Sequence, residues 1–333
     1  MTAPLRLVFL GSDAIALPLL EWLAGQGSGV AQVVAVFTPP DRPAGRGQKI
    51  QPNAIKTWAL ERSLPVHQPE KVTDEVRAQL GTLAADVALV MAYGHILRDE
   101  FINTPRLGTL NLHTSLLPKY RGASPIQTAV ASGERETGVT LMRMVRKLDA
   151  GPVADVERAA IETLDTAADV ERKLALAGVP LLRRALPRLA HGTLTFTPQD
   201  DAAATYCRKL EKGDGALDYS ASASALAARI NGLFPWPGCT AEINGAVLKL
   251  GLADVAGAPP PAADAPDRHQ PGAVLGHDAH GVIVQTGEGV LRLRQLQRPG
   301  ARMLPAAEFL RGFPIASGAV IPSRPMPPLV TVR

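Results

Sequence analysis

Residues 108–125 read Gly-Thr-Leu-Asn-Leu-His-Thr-Ser-Leu-Leu-Pro-Lys-Tyr-Arg-Gly-Ala-Ser-Pro. Thr109 to His113 has the composition of a short buried strand. Ser115 to Gly122 follows as a loop stiffened by proline and glycine. Ser124-Pro125 then has the form of a helix N-cap with proline at the first helical position. A strand feeding a helix through such a loop is the repeating unit of an α/β sheet. Asn111 and His113 lie two residues apart and therefore share one strand face. An amide placed there can donate to a developing oxyanion, and an imidazole, which titrates near neutral pH, can move a proton. A loop held between a strand end and a helix N-terminus is a natural ligand cradle.

Working outward, the same alternation recurs. Leu5 to Leu10 is a continuous apolar strand of the kind buried on both faces of a parallel sheet, and Gly11-Ser12-Asp13 turns into a helix over 14–25. Asp13 and Ala16 stand where the later glycines of a dinucleotide fingerprint belong, which argues against nicotinamide binding. Strands are expected at Val33–Phe37, Asp86–Tyr93, Gly138–Val145 and Val153–Ile161. Helices are expected at 53–63, 72–82, 124–132 and from Thr166 to about 190, the last interrupted near Pro180 and Pro187. The predicted fold is α/β, a doubly wound, mostly parallel Rossmann-like sheet. Ligands in such sheets sit beyond the carboxyl ends of strands. Val90, Met91 and Ala92 can offer backbone groups to a flat heterocycle, and Tyr93 and Ile96 can line its walls, or all five can simply pack the core. His67, in the extended piece Pro65–Pro69, reads as structural. Lys147 to Pro152 is a turn bearing Asp149, which acquires a role only beside Asn111 and His113: a carboxylate facing the imidazole can raise its pKa or fix its tautomer.

Beyond residue 192 the pattern changes. Thr193 to Lys212 shows little periodicity and reads as a linker. Tyr219 to Asn231 is an alanine-rich helix with Ser220 as its cap, and Phe234-Pro235-Trp236-Pro237-Gly238 a rigid corner with Trp236 packed inside. Short strands follow at Glu242–Ile243, Val247–Leu250, Gly281–Gln285 and Val290–Gln295, with Asn244-Gly245 a strong hairpin signal. These describe a smaller antiparallel β-barrel, OB-like in character. The domains are accordingly 1–192, a linker at 193–209, and 210–333. Val255 to Gly272 is an Ala/Pro-rich insertion. His277 and His280 have metal-like spacing without further Cys or His nearby, so no metal is expected. Arg292, Arg294, Arg298, Arg302, Arg311, Arg324 and Arg333 face only Glu308 in sequence, and Arg292 and Arg294 alternate on one strand face. A basic surface of this kind suits a phosphate backbone, or is a solvated face balanced by acids elsewhere in the fold.

Composition narrows the classes. At 333 residues two domains are expected, and 46% hydrophobic with 20% charged residues fits a globular chain. Aromatics at 4% argue against extended base stacking. A net charge of +4 permits a polyanionic partner without requiring one. The two cysteines, Cys207 and Cys239, form no CxxC pair and read as buried thiols of a reducing compartment. No apolar run approaches the ~20 residues that span a bilayer, and no presequence precedes the first strand, so the expectation is a cytoplasmic monomer without membrane contact.

Thr38 to Pro52 is too rich in glycine and proline to pack as an element, and its Arg42, Arg46 and Lys49 outnumber Asp41. It is either a solvated loop or a flexible finger for phosphates. Taken with the central stretch, it carries a resemblance. Asn111-Leu112-His113, the loop Ser115–Pro125 and Leu148-Asp149-Ala150-Gly151-Pro152 resemble the signatures of formyltransferases that use 10-formyltetrahydrofolate. Pro40 to Gly47 resembles the loop with which the methionyl-tRNA branch of that family grips the acceptor end of initiator tRNA. Leu210–Leu217, the Phe-Pro-Trp-Pro turn and Leu304–Gly312 resemble its C-terminal domain. The resemblance covers nearly the whole chain. It implies formyl transfer from 10-formyltetrahydrofolate, as co-substrate, to the α-amino group of initiator methionyl-tRNA. It implies Asn111, His113 and Asp149 as catalytic residues. Ser115, Leu116, Leu117, Pro118, Val90, Met91, Ala92, Tyr93 and Ile96 are implied at the folate, and Arg42, Arg46, Lys49, Arg292 and Arg294 at the tRNA. Open alternatives are a formyltransferase for a nucleotide sugar, glycinamide ribonucleotide or other small amine, a hydrolase releasing formate from the same folate, and a non-catalytic RNA-binding protein, which needs neither Asn111 nor His113.

Overall fold

The structure is a computed structural model that describes residues 3–44, 47, 49–257 and 270–332. The chain opens with β1 (Leu5–Gly11) and a 3₁₀ turn in which the Asp13 carboxylate accepts from the Ile15 amide at 3.0 Å, then α1 (Leu17–Ala24). Next come β2 (Ala31–Phe37), β3 (Arg42–Ala44), β4 (Lys49–Gln51), α2 (Ala54–Glu61), β5 (Val66–His67), α3 (Asp74–Thr82), β6 (Val87–Met91), α4 (Asp99–Ile102) and β7 (Thr109–His113). They are followed by β8 (Arg121–Gly122), α5 (Pro125–Ala131), β9 (Glu136–Arg143), β10 (Val153–Ala160), α6 (Ala167–Ala190), β11 (Thr205–Cys207) and α7 (Ala223–Gly232). The last part holds β12 (Cys239–Ile243), β13 (Ala246–Val255), β14 (Val274–His277), β15 (Val282–Gln285), β16 (Val290–Gln297), β17 (Leu304–Pro305), α8 (Ala306–Gly312) and β18 (Val330–Val332). Two compact units result. One comprises Met1–Arg121, Gly138–Ala159 and Glu171–Ala204; the other comprises Gly122–Thr137, Ala160–Val170 and Thr205–Arg333.

The first unit is built on a seven-stranded sheet in the order β10-β9-β7-β6-β1-β2-β5. β1 runs parallel to β2 and β6, β2 to β5, and β6 to β7, while β9 is antiparallel to β7. The strand order therefore reverses at β1, and a crevice opens beyond the carboxyl ends of β1 and β6. Alternate residues Val8, Leu10, Ala35, Phe37, Ala88 and Val90 bury one face against Val76 and Leu80 of α3 and Phe101 and Ile102 of α4. The sheet is Rossmann-like, as the alternation of strands and helices implies, and mixed, because β9 runs antiparallel to β7.

The second unit carries a curled antiparallel sheet, β12-β13-β16-β15-β14 with β17 beside β16, which forms a half-barrel. Register shifts at Leu250–Ala253 bend β13, as bulges do. Asn244 (φ 51°) and Gly245 (φ 73°) make the two-residue turn between β12 and β13, with Ile243 paired to Ala246. The core joins Leu226 and Ile230 of α7, and Leu233 just after it, to Leu248, Leu250, Val282, Val284, Leu291 and Leu293. α7 also meets α5 at Gly232, where a Cβ would stand 2.2 Å from the Ala131 amide nitrogen.

Several local expectations are corrected. The 38–52 segment is not featureless: β3 and β4 form an antiparallel ribbon with Arg42 opposite Gln51, and α2 after it is capped by Asn53. α6 runs unbroken through Pro180 and Pro187, because each proline removes only one amide donor and the buried leucines either side hold the helix in place. Its Thr166–Asp169 exchange forms the N-terminal cap that the sequence suggests. Ser124 does not cap α5; its hydroxyl donates to the Arg208 carbonyl. The cap of α7 is Ser222, whose hydroxyl accepts from the Ala225 amide at 3.2 Å, while Ser220 bonds Asp218. Trp236 is 52% exposed rather than packed inside its turn. Residues 193–212 include β11, which pairs with β18, and a Thr197–Val153 bridge that ties the segment to β10. Most of the Ala/Pro-rich insertion, 258–269, lies outside the described residues, as do Arg46 and Arg333. Among the described residues no helix is long and apolar enough to cross a membrane; α6, the longest, carries Glu171, Arg183, Arg184 and Arg188.

Candidate active site

β7 places Asn111 and His113 on one face at its carboxyl end, both buried. Asn111 sits in register with Val90 of β6 and Met142 of β9, at the centre of the sheet. His113 Nε2 lies 2.9 Å from the Tyr120 carbonyl oxygen. A carbonyl can only accept, so Nε2 carries a hydrogen and the neutral ring keeps its lone pair on Nδ1. Nδ1 faces Asp149 Oδ2 at 3.7 Å. That separation exceeds a hydrogen bond. Of the two roles open to Asp149 in the sequence, fixing the tautomer falls instead to Tyr120. The turn carrying Asp149 is tight: Asp149 has φ 47°, and a Cβ on Gly151 would lie 1.7 Å from the Arg143 carbonyl.

The loop after β7 is closed from within. Ser115 is fully buried, and its hydroxyl donates to the Lys119 carbonyl at 2.6 Å. Thr140 of β9 donates to the Ser115 carbonyl at 2.6 Å and accepts from the Leu117 amide at 3.2 Å. Ser115 therefore builds the loop, and half-buried Leu116, Leu117 and Pro118 supply its surface.

A cleft of about 490 Å³ lies where the strand order reverses, lined among others by Ser12, Arg42, Asn53, Tyr93, Gly94 and His95. The Ser12 hydroxyl donates to the Ala92 carbonyl at 2.9 Å, closing the ends of β1 and β6 together. Val90 and Met91 are buried in the sheet, and exposed Ala92 (φ 52°) starts the turn beyond it. Tyr93 reaches the cleft, but its body belongs to the core and burial pushes its hydroxyl up to about 12. Ile96 does not line a wall: it is 90% exposed, because the turn through Gly94 (φ 77°) hands the inward position to Leu97. Burial, and then the Arg42 charge, hold His95 below the usual histidine range. His67 stacks on Phe37 with ring centroids 4.5 Å apart, the structural role expected of it.

Of the basic residues, Arg42 and Lys49 stand exposed on the β3–β4 ribbon. Asp41, the acid beside them, is engaged by Lys56 at 2.6 Å and Gln68 at 2.8 Å. Arg292 and Arg294, expected at a phosphate surface, are both ion-paired. Arg292 makes paired contacts with Asp254 at 2.8 and 2.7 Å and reaches Asp278 at 2.8 Å; Arg294 meets Asp254 at 3.0 Å. Acids remote in sequence thus balance both charges. Among the described residues no cluster of three or more His, Cys, Asp or Glu side chains is placed to hold a metal.

Sequence reasoning passed over the residues that hold the Asp149 turn. Gln199 Nε2 donates to the Asp149 carbonyl at 2.8 Å and the Gly151 carbonyl at 2.7 Å. Gln199 lies in the aperiodic stretch read as a linker, where no local signal marks it. Arg121, fully buried behind it, stands within the quoted central stretch, and its position inside the loop was the available clue.

Comparison with known proteins places this geometry. The family described as Formyl transferase matches residues 5–186, and the description Formyl transferase, C-terminal domain, matches residues 209–314. The methionyl-tRNA formyltransferase of Ralstonia nicotianae is 42% identical over 97% of this chain and 100% of its own. Among solved structures, the sugar 3N-formyltransferase WlaRD covers 90% of this chain and 100% of its own, with a TM-score of 0.63 at 16% identity. HypX from Aquifex aeolicus in complex with tetrahydrofolic acid covers 97% of this chain, with a TM-score of 0.59 at 17% identity; the chain spans about half (51%) of HypX.

Proposed function

Because the chain belongs to the formyl transferase family, we propose that it transfers the formyl group of 10-formyltetrahydrofolate to the α-amino group of methionyl initiator tRNA. The observation that carries this reading is the 42% identity to a methionyl-tRNA formyltransferase along that protein's whole length, second unit included. The geometry at β7 supports the following catalytic roles. The amine attacks the formyl carbon, and the carbonyl oxygen gains charge. The Asn111 amide donates to that oxyanion. His113 Nδ1, which holds the lone pair, takes the proton leaving the amine and returns it to the departing folate nitrogen. The Asp149 carboxylate at 3.7 Å stabilises the imidazolium between those two steps. No covalent enzyme intermediate is needed.

The folate is assigned to the surface of Leu116, Leu117 and Pro118 and to the strand end at Val90–Tyr93, with Ser115 supporting from beneath. Arg42 and Lys49, on a ribbon beside the cleft at β1 and β6, are assigned to the acceptor end of the tRNA. The domain roles go with this reading: 1–192 catalytic, 193–209 a connector that also braces the site, and 210–333 an OB-like tRNA-binding unit. The protein is read as a cytoplasmic monomer.

A formylation assay with 10-formyltetrahydrofolate and methionyl initiator tRNA, run beside a nucleotide-sugar amine, tests the proposal. Formylmethionyl-tRNA as sole product is expected. Product on the sugar alone would overturn the choice of acceptor, and product on neither would overturn formyl transfer to both.

A further inference from the structure

The Asp149 turn is held from outside by a chain of contacts that ends at the His113 anchor. The single amide group of Gln199 spans the carbonyls of Asp149 and Gly151 with its two hydrogens. Its oxygen accepts from Arg121 Nε at 3.2 Å and Nη2 at 2.8 Å. A guanidinium only donates and a carbonyl only accepts, so one orientation of the amide satisfies both sides. Arg121 Nη2 also meets Asp201 Oδ1 at 2.8 Å, and the other oxygen of Asp201 takes Lys147 Nζ at 2.5 Å. Lys147 begins the very turn that Gln199 clamps. Arg121 directly follows Tyr120, whose carbonyl holds His113 Nε2. Tyr120 (φ 59°) and Asp149 (φ 47°) both occupy the left-handed region, which residues other than glycine keep only when their surroundings impose it.

We propose that Gln199, oriented by buried Arg121, is a positioning residue: it fixes the separation of the His113 ring from the Asp149 carboxylate and so sets the turnover rate. This rests on the assignment of His113 and Asp149 made above. Gln199 touches no reacting atom; it acts through the turn.

The test is Gln199→Met, which keeps the length of the side chain and removes its donors and acceptor. In steady-state formylation, kcat is expected to fall about tenfold or more while both KM values stay within about twofold, since a misplacement near 1 Å costs up to ~100-fold. The pH profile of kcat/KM is expected to move as well. In parallel, the NMR signals of the His113 ring are recorded without substrate and are expected to differ in position between wild type and variant. A folded variant with unchanged kcat overturns the proposal. So does a fall in kcat that leaves the pH profile and the His113 ring signals unmoved, which is the mark of a merely structural role. Should Gln199→Met fail to fold, Asp201→Asn at the exposed end of the chain carries the same readouts with a smaller shift, and no shift there overturns the proposal. If the wild type formylates neither acceptor, the functional reading falls, while the His113 ring signals still decide whether Gln199 positions the pair.

Discussion

At His113 the two ring nitrogens have different surroundings. Nε2 is tied to a backbone carbonyl at 2.9 Å and cannot exchange its proton without breaking that bond, whereas Nδ1 faces a carboxylate at 3.7 Å and is free to cycle. On the proposed role of His113 as proton carrier, His113→Ala should lower kcat by ~100-fold or more. Asp149→Asn keeps the shape of the turn but removes the charge opposite Nδ1, and should lower kcat with KM nearly unchanged. Asn111→Ala should cost ~100- to 1000-fold, the usual loss for one oxyanion donor. Stopped-flow or steady-state formylation, with thermal unfolding as control, checks all three. A folded Asp149→Asn enzyme with wild-type turnover would remove that residue from the mechanism.

The β3–β4 ribbon is an element that only pairing could reveal, since Pro43 and the glycines around it argue against a strand. Its antiparallel register puts Arg42 beside the cleft and near enough to His95 to depress that imidazole. Arg42→Ala should therefore do two things: raise KM for tRNA without lowering kcat, and let the His95 titration rise toward its ordinary value. Kinetics and NMR together check this, and unchanged tRNA kinetics would return the ribbon to a solvated loop. The α5–α7 contact makes a different demand. With a Cβ at Gly232 the Ala131 backbone would have to move, so Gly232→Ala should destabilise the protein by roughly 1–3 kcal/mol, the range for overpacking. Denaturant unfolding measures it.

Across the whole molecule, buried or half-buried acid–base pairs make stability depend on acid. Burial pushes the Asp254 carboxyl up, but Arg292 and Arg294 outweigh it and hold the group below its ordinary 3.8. Asp214 behaves alike, with Arg208 as the opposing partner. Both carboxyls are lower in the folded state than unfolded. Their stabilisation is therefore complete above the unfolded value and is lost as pH falls through the folded ones. The thermal midpoint should stay level from neutral pH to about 5 and drop below about 4. Asp254→Ala should lower the midpoint at neutral pH and flatten part of that acid decline; an unchanged decline would remove Asp254 from the account. Arg292→Ala should destabilise by about 1–3 kcal/mol and leave KM for tRNA within about twofold, because its charge is already matched. A large rise in KM would restore Arg292 to the RNA surface.

Much of this protein could be read from one dimension. The apolar run Leu5–Leu10, the strand–loop–helix at 108–125 and the Asn244-Gly245 turn each depend on neighbours a few residues away, and backbone geometry enforces those relations wherever the chain goes. The same holds for Asn111 and His113, which share a face because strands alternate. Asp149 could be paired with them only through resemblance. The tertiary structure alone decided which distant groups meet. Gln199 reaches a carbonyl 50 residues back, and Arg292 finds Asp254 38 residues away, turning an apparent basic stripe into a balanced one. Ile96 and Trp236 point outward although both are large and apolar. Local periodicity fixes the face on which a side chain emerges, whereas its partner depends on the route of the whole chain, which no short window of sequence encodes.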